Sequence, residues 1–237
     1  MKQPIDVCLS PELLHLYDIT ESIVVVTDIL RATTCMTAGL ASGVASIVPV
    51  ATLDECRALQ QQGYVAGAER DGKPVAGFDM GNSPFSYMDE AIKGRQVAMT
   101  TSNGTLAITK SKQAAQVVIG AFINISAVAQ YLRSQGKPVL VLCAGWKGKF
   151  NLEDTLFAGA LVQALADAYA PACDSVLAAR HLYQAAKADL LGFLAESSHV
   201  QRLKRLNIQK DVEFCLTTDV VQAIPVLKDD RLVLLAN

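Results

Sequence analysis

The chain has 237 residues, 51% hydrophobic and 19% charged, and its 21 basic and 23 acidic side chains give a formal net charge of −2. That length and apolar share exclude a disordered chain and suffice for a core without disulfide staples. The near-neutral balance offers nothing to nucleic acid or to an anionic membrane, and no run approaches the roughly 18 to 20 apolar residues that span a bilayer.

Residues 5–9 read as a strand, and 23–27 (IVVVT) as a second one, an unbroken β-branched run of the kind buried on both faces. A helix is predicted over 33–40, closed by Ser42-Gly43, and then a strand over 46–50. Thr52 caps a helix that Gly63 ends, and 64–68 is the next strand. A Gly-rich loop over 69–82 leads to Ser83-Pro84, which marks the start of a helix predicted to reach Lys93. Strands at 96–99 and 117–119 bracket a helix beginning near Thr105, and a helix at 126–135 precedes the continuous strand 138–143 (PVLVLC). Helices follow over 152–168, 175–196 and 200–206, and the apolar runs 213–216 and 231–235 read as edge strands. This alternation predicts a three-layer α/β/α fold around a largely parallel or mixed central sheet. No Pro/Ser run, charge block or low-complexity tract marks a linker, so residues 1–237 read as a single α/β domain.

The opening residues meet Asp6 at once and hold no apolar stretch of signal-peptide type, so a soluble cytoplasmic protein is expected. Cys8, Cys35, Cys56, Cys143, Cys173 and Cys215 are scattered singly, which argues against a disulfide framework and against a thiolate zinc site. His15, His181 and His199 are too far apart in sequence to suggest a metal cluster, and His199, after Ser197-Ser198, reads as part of a helix start. Apolar helix faces near 190–194 would suit a homodimer.

In open α/β sheets, sites form outside the carboxyl ends of the strands. Four polar loops follow predicted strands here: 28–34, 69–84, 100–105 and 143–154. With the strands as parallel neighbours, these loops meet at one rim. Asp28, Glu69, Asp79, Glu153 and Asp154 offer hard carboxylate oxygens of the kind Mg²⁺ takes. Arg31, Arg70 and Lys149 supply cations for an anionic substrate, Arg in a form that grips phosphate bidentately. Thr33 and Thr34, and Thr101, Asn103, Gly104 and Thr105, bring hydroxyls and N–H groups to helix N-termini, which favour phosphate. Acids for a metal beside donors for an oxyanion form the pattern of metal-assisted phosphoryl chemistry. Each feature also has a structural use: Asp28 as a cap, Asn103-Gly104 as a turn, Ser83-Pro84 as a helix start, and Glu153 and Asp154 as complements to a helix dipole. The functional reading rests on the four loops together. Trp146, the only tryptophan, lies in the last loop, where a lid or a substrate wall would sit.

Cys143 to Lys149 reads C-x5-K, similar to the C-x5-R phosphate loop of cysteine-dependent phosphatases. Lysine lacks the bidentate fork, and nearby carboxylates raise a thiol's pKa. The nucleophile is left open between a carboxylate (Asp28 or Asp79), water and Cys143.

The segments DILRATT (28–34), AERDG (68–72), GFDMGNSP (77–84), TTSNGT (100–105) and CAGWKGKFNLEDTLFAGALV (143–162) resemble the 2-phosphosulfolactate phosphatase family. The stretch 197–226, containing EFCLTTDVV, carries the same resemblance, and the order and spacing fit across the chain. The resemblance implies an α/β/α layered fold and Mg²⁺-dependent hydrolysis of 2-phosphosulfolactate to sulfolactate and inorganic phosphate, a reaction that serves coenzyme M biosynthesis in some organisms. It also implies that Asp28, Arg31, Glu69, Arg70, Asp79, Asn82, Ser83, Asn103, Cys143, Glu153 and Asp154 belong to the site. Lys149 stands where Arg is expected in many members, Leu106 where a basic residue commonly follows TT-N-GT, and Ala68 where the GER stretch begins with Gly. The expected substrate is thus a small anionic phosphoester, with Lys149 at its sulfonate or carboxylate end. The alternatives are a phosphatase of the same fold acting on another phosphoester, or a non-catalytic protein that binds a phosphorylated metabolite.

Overall fold

A computed structural model of the chain describes residues 2–236. Strands β1 (Gln3–Cys8) and β2 (Ile23–Thr27) are followed by α1 (Ala32–Ala41), β3 (Ser46–Pro49), α2 (Leu53–Gln61), β4 (Val65–Arg70) and the short β5 (Lys73–Pro74). Next come α3 (Pro84–Tyr87), β6 (Gln96–Thr100), α4 (Gly104–Lys110), β7 (Gln116–Ile119), α5 (Ile125–Gln135), β8 (Val139–Cys143) and α6 (Leu152–Ala164). The chain finishes with β9 (Tyr169–Pro171), α7 (Asp174–Ala186), α8 (Leu190–Leu194), α9 (Ser198–Lys204), α10 (Gln209–Leu216), β10 (Pro225–Lys228) and β11 (Arg231–Leu234).

The layering follows from strand alternation. In β2, Ile23 and Val25 pack with Phe157 and Leu161 of α6 on one side of the sheet. Val24 and Val26 pack with Met36 and Leu40 of α1 and Ile108 of α4 on the other. Both faces are covered, which is why β2 and β8 read as continuous apolar runs. Helix α1 is apolar or small all round and buried from Ala32 to Leu40, as a helix inside a core must be. The arrangement is a three-layer α/β/α fold with a mixed sheet.

The sheet order is β5-β4-β6-β3-β11-β10-β7-β2-β8-β1-β9. Strands β7, β2, β8, β1 and β9 are mutually parallel, and so are β4, β6 and β3. The β10–β11 hairpin joins the two groups through three antiparallel junctions, β7–β10, β10–β11 and β11–β3. The groups therefore run in opposite directions along the sheet, contrary to the expectation of parallel neighbours. The two outer junctions rest on single bridges, Val226 with Val118 and Leu232 with Ile47. The loops that follow β2, β4, β6 and β8 still converge, as their contacts below establish.

Other expectations change as well. The helix predicted over 83–93 is the single turn α3, because Asp89 caps a separate 3-10 turn by accepting the Ala91 N–H at 2.9 Å. The helix predicted over 175–196 breaks into α7 and α8, since Asp189 accepts the Gly192 N–H at 2.8 Å and starts a new helix. The run 213–216 is the end of α10, where Val212, Cys215 and Leu216 are buried at helical spacing. The run at 231–235 forms β11, but inside the sheet and not at its edge. Its partner β10 follows from the two-residue turn Asp229-Asp230, both at positive φ (47° and 62°), the backbone that a tight hairpin needs. No helix among the described residues is long and apolar enough to cross a membrane.

Candidate functional site

Strand β2 ends in Asp28, and the turn into α1 fixes it. The Asp28 N–H donates to Thr33 Oγ1 at 3.0 Å, and the Thr33 hydroxyl returns a bond to the Asp28 carbonyl at 3.0 Å. The start of α4 presses against the carboxylate: a Cβ on Gly104 would lie 2.7 Å from Asp28 Oδ2. Only glycine fits there, and the loop after β6 is thereby set beside the loop after β2. Strand β4 brings Glu69, which accepts a short bond from the Gly72 N–H. Arg31 ties the loops together, pairing with Asp211 of α10 and donating to the Gly72 carbonyl at 3.1 Å. The Ser83 hydroxyl donates to the other Asp211 oxygen at 3.1 Å.

Between these loops lies a narrow cavity lined by Asp28, Arg31, Glu69, Asn82, Asn103, Trp146 and His199. Its free volume is about 10 Å³, room for roughly one water. Glu153, in the first turn of α6 and 1% exposed, shares a short hydrogen bond between Oε1 and His199 Nδ1, while its Oε2 meets no partner among the described residues. Asn82 Oδ1 is likewise buried without a partner. The Lys147 N–H donates to Asn103 Oδ1 at 3.0 Å, and Lys147 Nζ pairs with Asp71 at 2.9 Å, which stitches the loop after β8 to those after β6 and β4.

Electrostatics mark the same place. Burial, reinforced by Glu69 and Glu153 and opposed by His199, pushes the Asp28 carboxyl up to about 6. Burial also pushes Asp154 up, with Glu153 and Asp28 adding to it. The Ile29 and Gly145 N–H groups oppose this by donating to the two Asp154 oxygens at 2.9 and 3.0 Å, so Asp154 serves as a brace between the loops after β2 and β8.

The remaining expected site residues lie elsewhere or are spent locally. Asp79 is exposed, and its Oδ2 accepts from the Ala66 N–H at 2.7 Å, which fastens its loop to the start of β4, away from the cavity. Arg70 follows Glu69 on a strand and so points to the opposite face, donating to the Glu69 carbonyl at 2.6 Å and to Thr100 Oγ1 at 3.0 Å. Lys149 is exposed and outside the lining; its backbone pairs with that of Trp146. Cys143 is wholly buried within β8, and burial pushes its thiol well up, away from thiolate chemistry. The Thr34 hydroxyl donates to the Ile29 carbonyl, and Thr101 and Thr105 bond each other. Among the described residues no group of three or more His, Cys, Asp or Glu forms a metal cluster, so the five expected carboxylates do not gather around one point. His199, expected only as part of a helix start, and Asp211 carry no local signal of a site in the sequence. Both sit on helices late in the chain, in a stretch whose apolar pattern reads partly as strand.

The fold and site define an α/β/α protein with an acid-lined pocket where strand-end loops converge. The model of the family described as 2-phosphosulpholactate phosphatase matches residues 8–230. A relative from Caldanaerobacter subterraneus subsp. tengcongensis, named probable 2-phosphosulfolactate phosphatase, is 35% identical over 217 residues, 90% of each chain. Relatives with the same name from Gloeobacter violaceus (38% over 211 residues, 87% of this chain and 88% of the relative) and Clostridium beijerinckii (30% over 234 residues, 96% and 98%) agree. The chain belongs to the 2-phosphosulfolactate phosphatase family of hydrolases.

Proposed function

We propose that the protein is a Mg²⁺-dependent phosphatase that hydrolyses 2-phosphosulfolactate to sulfolactate and inorganic phosphate. The observation that carries this reading is the cavity itself, where Asp28, Glu69, Asn82 and the His199–Glu153 pair face one another in a chain of this family. The donors suit Mg²⁺, which binds through one or two carboxylates and keeps waters and substrate oxygens. Asp28 and Glu69 would hold it, and the buried, unpartnered Asn82 Oδ1 is a third hard oxygen. Bound there, the ion would neutralise the phosphoryl oxygens and stabilise charge in transfer.

The chain's own groups do the rest. Arg31, fixed by Asp211 and the Gly72 carbonyl, holds a positive charge at the cavity wall without needing to reorganise. Glu153 orients His199 through Nδ1, which leaves Nε2 to give a proton to the leaving alkoxide oxygen, a poor leaving group without one. Ser83 steadies Asp211, and the Gly104 approach steadies Asp28.

The test is phosphate release from 2-phosphosulfolactate with and without Mg²⁺, beside a panel of small phosphoesters. Mg²⁺-dependent release that prefers 2-phosphosulfolactate is expected. The positions of Arg70 and Lys149, both outside the lining, favour a second reading: the same reaction on an ester without a sulfonate. Preference for such an ester in the panel would select it. Tight binding without release would select a phosphometabolite-binding protein.

A further inference from the structure

Three cations near the cavity are already engaged. Arg31 is held by Asp211, Arg70 by the Glu69 carbonyl and Thr100, and Lys147 by Asp71. Arg202 differs from them. It lies on α9 three residues after His199, and so on the same side of the helix. Its guanidinium carbon is 4.0 Å from the centre of the Trp146 ring, and Trp146 walls the cavity. The Arg202 side chain is half-buried; its Nη2 is buried, and no acceptor meets it among the described residues.

A buried donor without an acceptor is costly, and more so when charged, so the arrangement is relieved by an anion that arrives with a ligand. The indole face fixes the plane of the guanidinium and attracts its charge. Trp146 thus joins two unlike groups: it lines the cavity with the buried acids Asp28 and Glu69, and it seats on its ring a cation that stands outside that lining.

We infer that Arg202, seated on Trp146, is the specificity-determining residue that receives the sulfonate of the substrate. The assignment rests on the phosphatase reading above: Arg202, like Lys149, stands outside the lining, but it is half-buried against the Trp146 wall with a donor unmet among the described residues, whereas Lys149 is exposed. A sulfonate keeps its charge at every physiological pH and presents three acceptor oxygens. A guanidinium also keeps its charge and presents donors in a rigid fork.

The test compares kcat/KM for 2-phosphosulfolactate and 2-phospholactate, which lacks the sulfonate, in the wild type, Arg202→Gln and Arg202→Lys. Glutamine is a good helix former, and thermal unfolding checks that the variant is folded. In Arg202→Gln the preference for the sulfonated ester is expected to fall roughly 10- to 100-fold, the factor of one charge-assisted hydrogen bond. The loss should appear in KM rather than kcat, and lysine should restore only part of it. An unchanged preference, or an equal loss on both esters, overturns the assignment. Trp146 is the only tryptophan, so its fluorescence reads sulfolactate binding without turnover. Weaker binding by a similar factor in Arg202→Gln is expected, and equal affinity overturns the inference. A wild type that binds sulfolactate through Arg202 yet releases no phosphate would strike the phosphatase reading alone.

Discussion

Two cavities of very different size occupy opposite ends of the sheet. At the amino ends of β7 and β8, near Gln116 and Lys137, lies an open one of about 600 Å³ that Lys112, Lys228 and Tyr131 also line. Among the described residues none of its lining side chains buries an unpartnered polar atom: Lys112 pairs with Asp230 at 2.6 Å, and the Tyr131 hydroxyl bonds Gln116. At the carboxyl ends lies the acid-lined cavity of about 10 Å³. Among the described residues Asn82 Oδ1 there has no partner, nor does Glu153 Oε2 on the acid that pairs with His199, and Asp28 is pushed up to about 6. The difference separates room from chemistry. A large space between strands needs nothing beyond loose packing, whereas buried acids and unmet acceptors are costly and persist where a ligand relieves them.

That contrast breaks first at Asp28. Replacing it with Asn should lower Mg²⁺-supported turnover roughly 10³-fold, the several kcal/mol of charge stabilisation that a metal site supplies. Near-normal turnover in Asp28→Asn would move the chemistry out of the small cavity. The next effect is structural. Asp211→Asn leaves Arg31 buried beside a neutral partner, and unfolding in urea should reveal a loss of about 3–5 kcal/mol. A loss below about 1 kcal/mol would mean that Arg31 finds solvent or another acceptor, and that the wall it forms is not fixed.

The third effect has a definite sign. The Asp28 carboxyl rises from 3.8 unfolded to about 6 folded, so between those values the folded protein binds the extra proton. Its stabilising share is complete below pH 3.8 and is lost as pH rises through about 6, a drop of about 3 kcal/mol at most. Urea unfolding of the metal-free protein from pH 4 to 7 should show this loss relative to Asp28→Asn, which lacks it. Adding Mg²⁺ at pH 7 should stabilise the wild type and not the variant. Parallel pH profiles for the two proteins would place Asp28 in ordinary solvent.

Much of this was legible in the sequence, for local reasons. An acid after IVVVT had to emerge at a strand end, and the layered fold follows from strands that are apolar on both faces. Strand alternation could also have separated Glu69 from Arg70, since neighbours in a strand cannot both face one cavity. The Arg31–Asp211 and Glu153–His199 pairs could not be read. They join residues 180 and 46 positions apart, and no local pattern encodes which helix end meets which loop. The opposed direction of the two strand groups was hidden for a similar reason. It depends on the β10–β11 hairpin, whose Asp-Asp turn lacks the glycine that usually announces one.

The smallest expected effect is the sharpest check on the comparison. Lys228 lines the large cavity, stands at the exposed end of β10 and pairs with Arg231 across the hairpin turn only through the backbone register. Lys228→Gln removes a charge without removing a buried contact, so stability should stay within about 0.5 kcal/mol. Turnover should be unaltered, because the site lies at the other end of the strands. If Lys228→Gln instead lowered turnover with stability intact, the larger cavity would be coupled to the reaction. Satisfied hydrogen bonding would then no longer distinguish idle space from a working one.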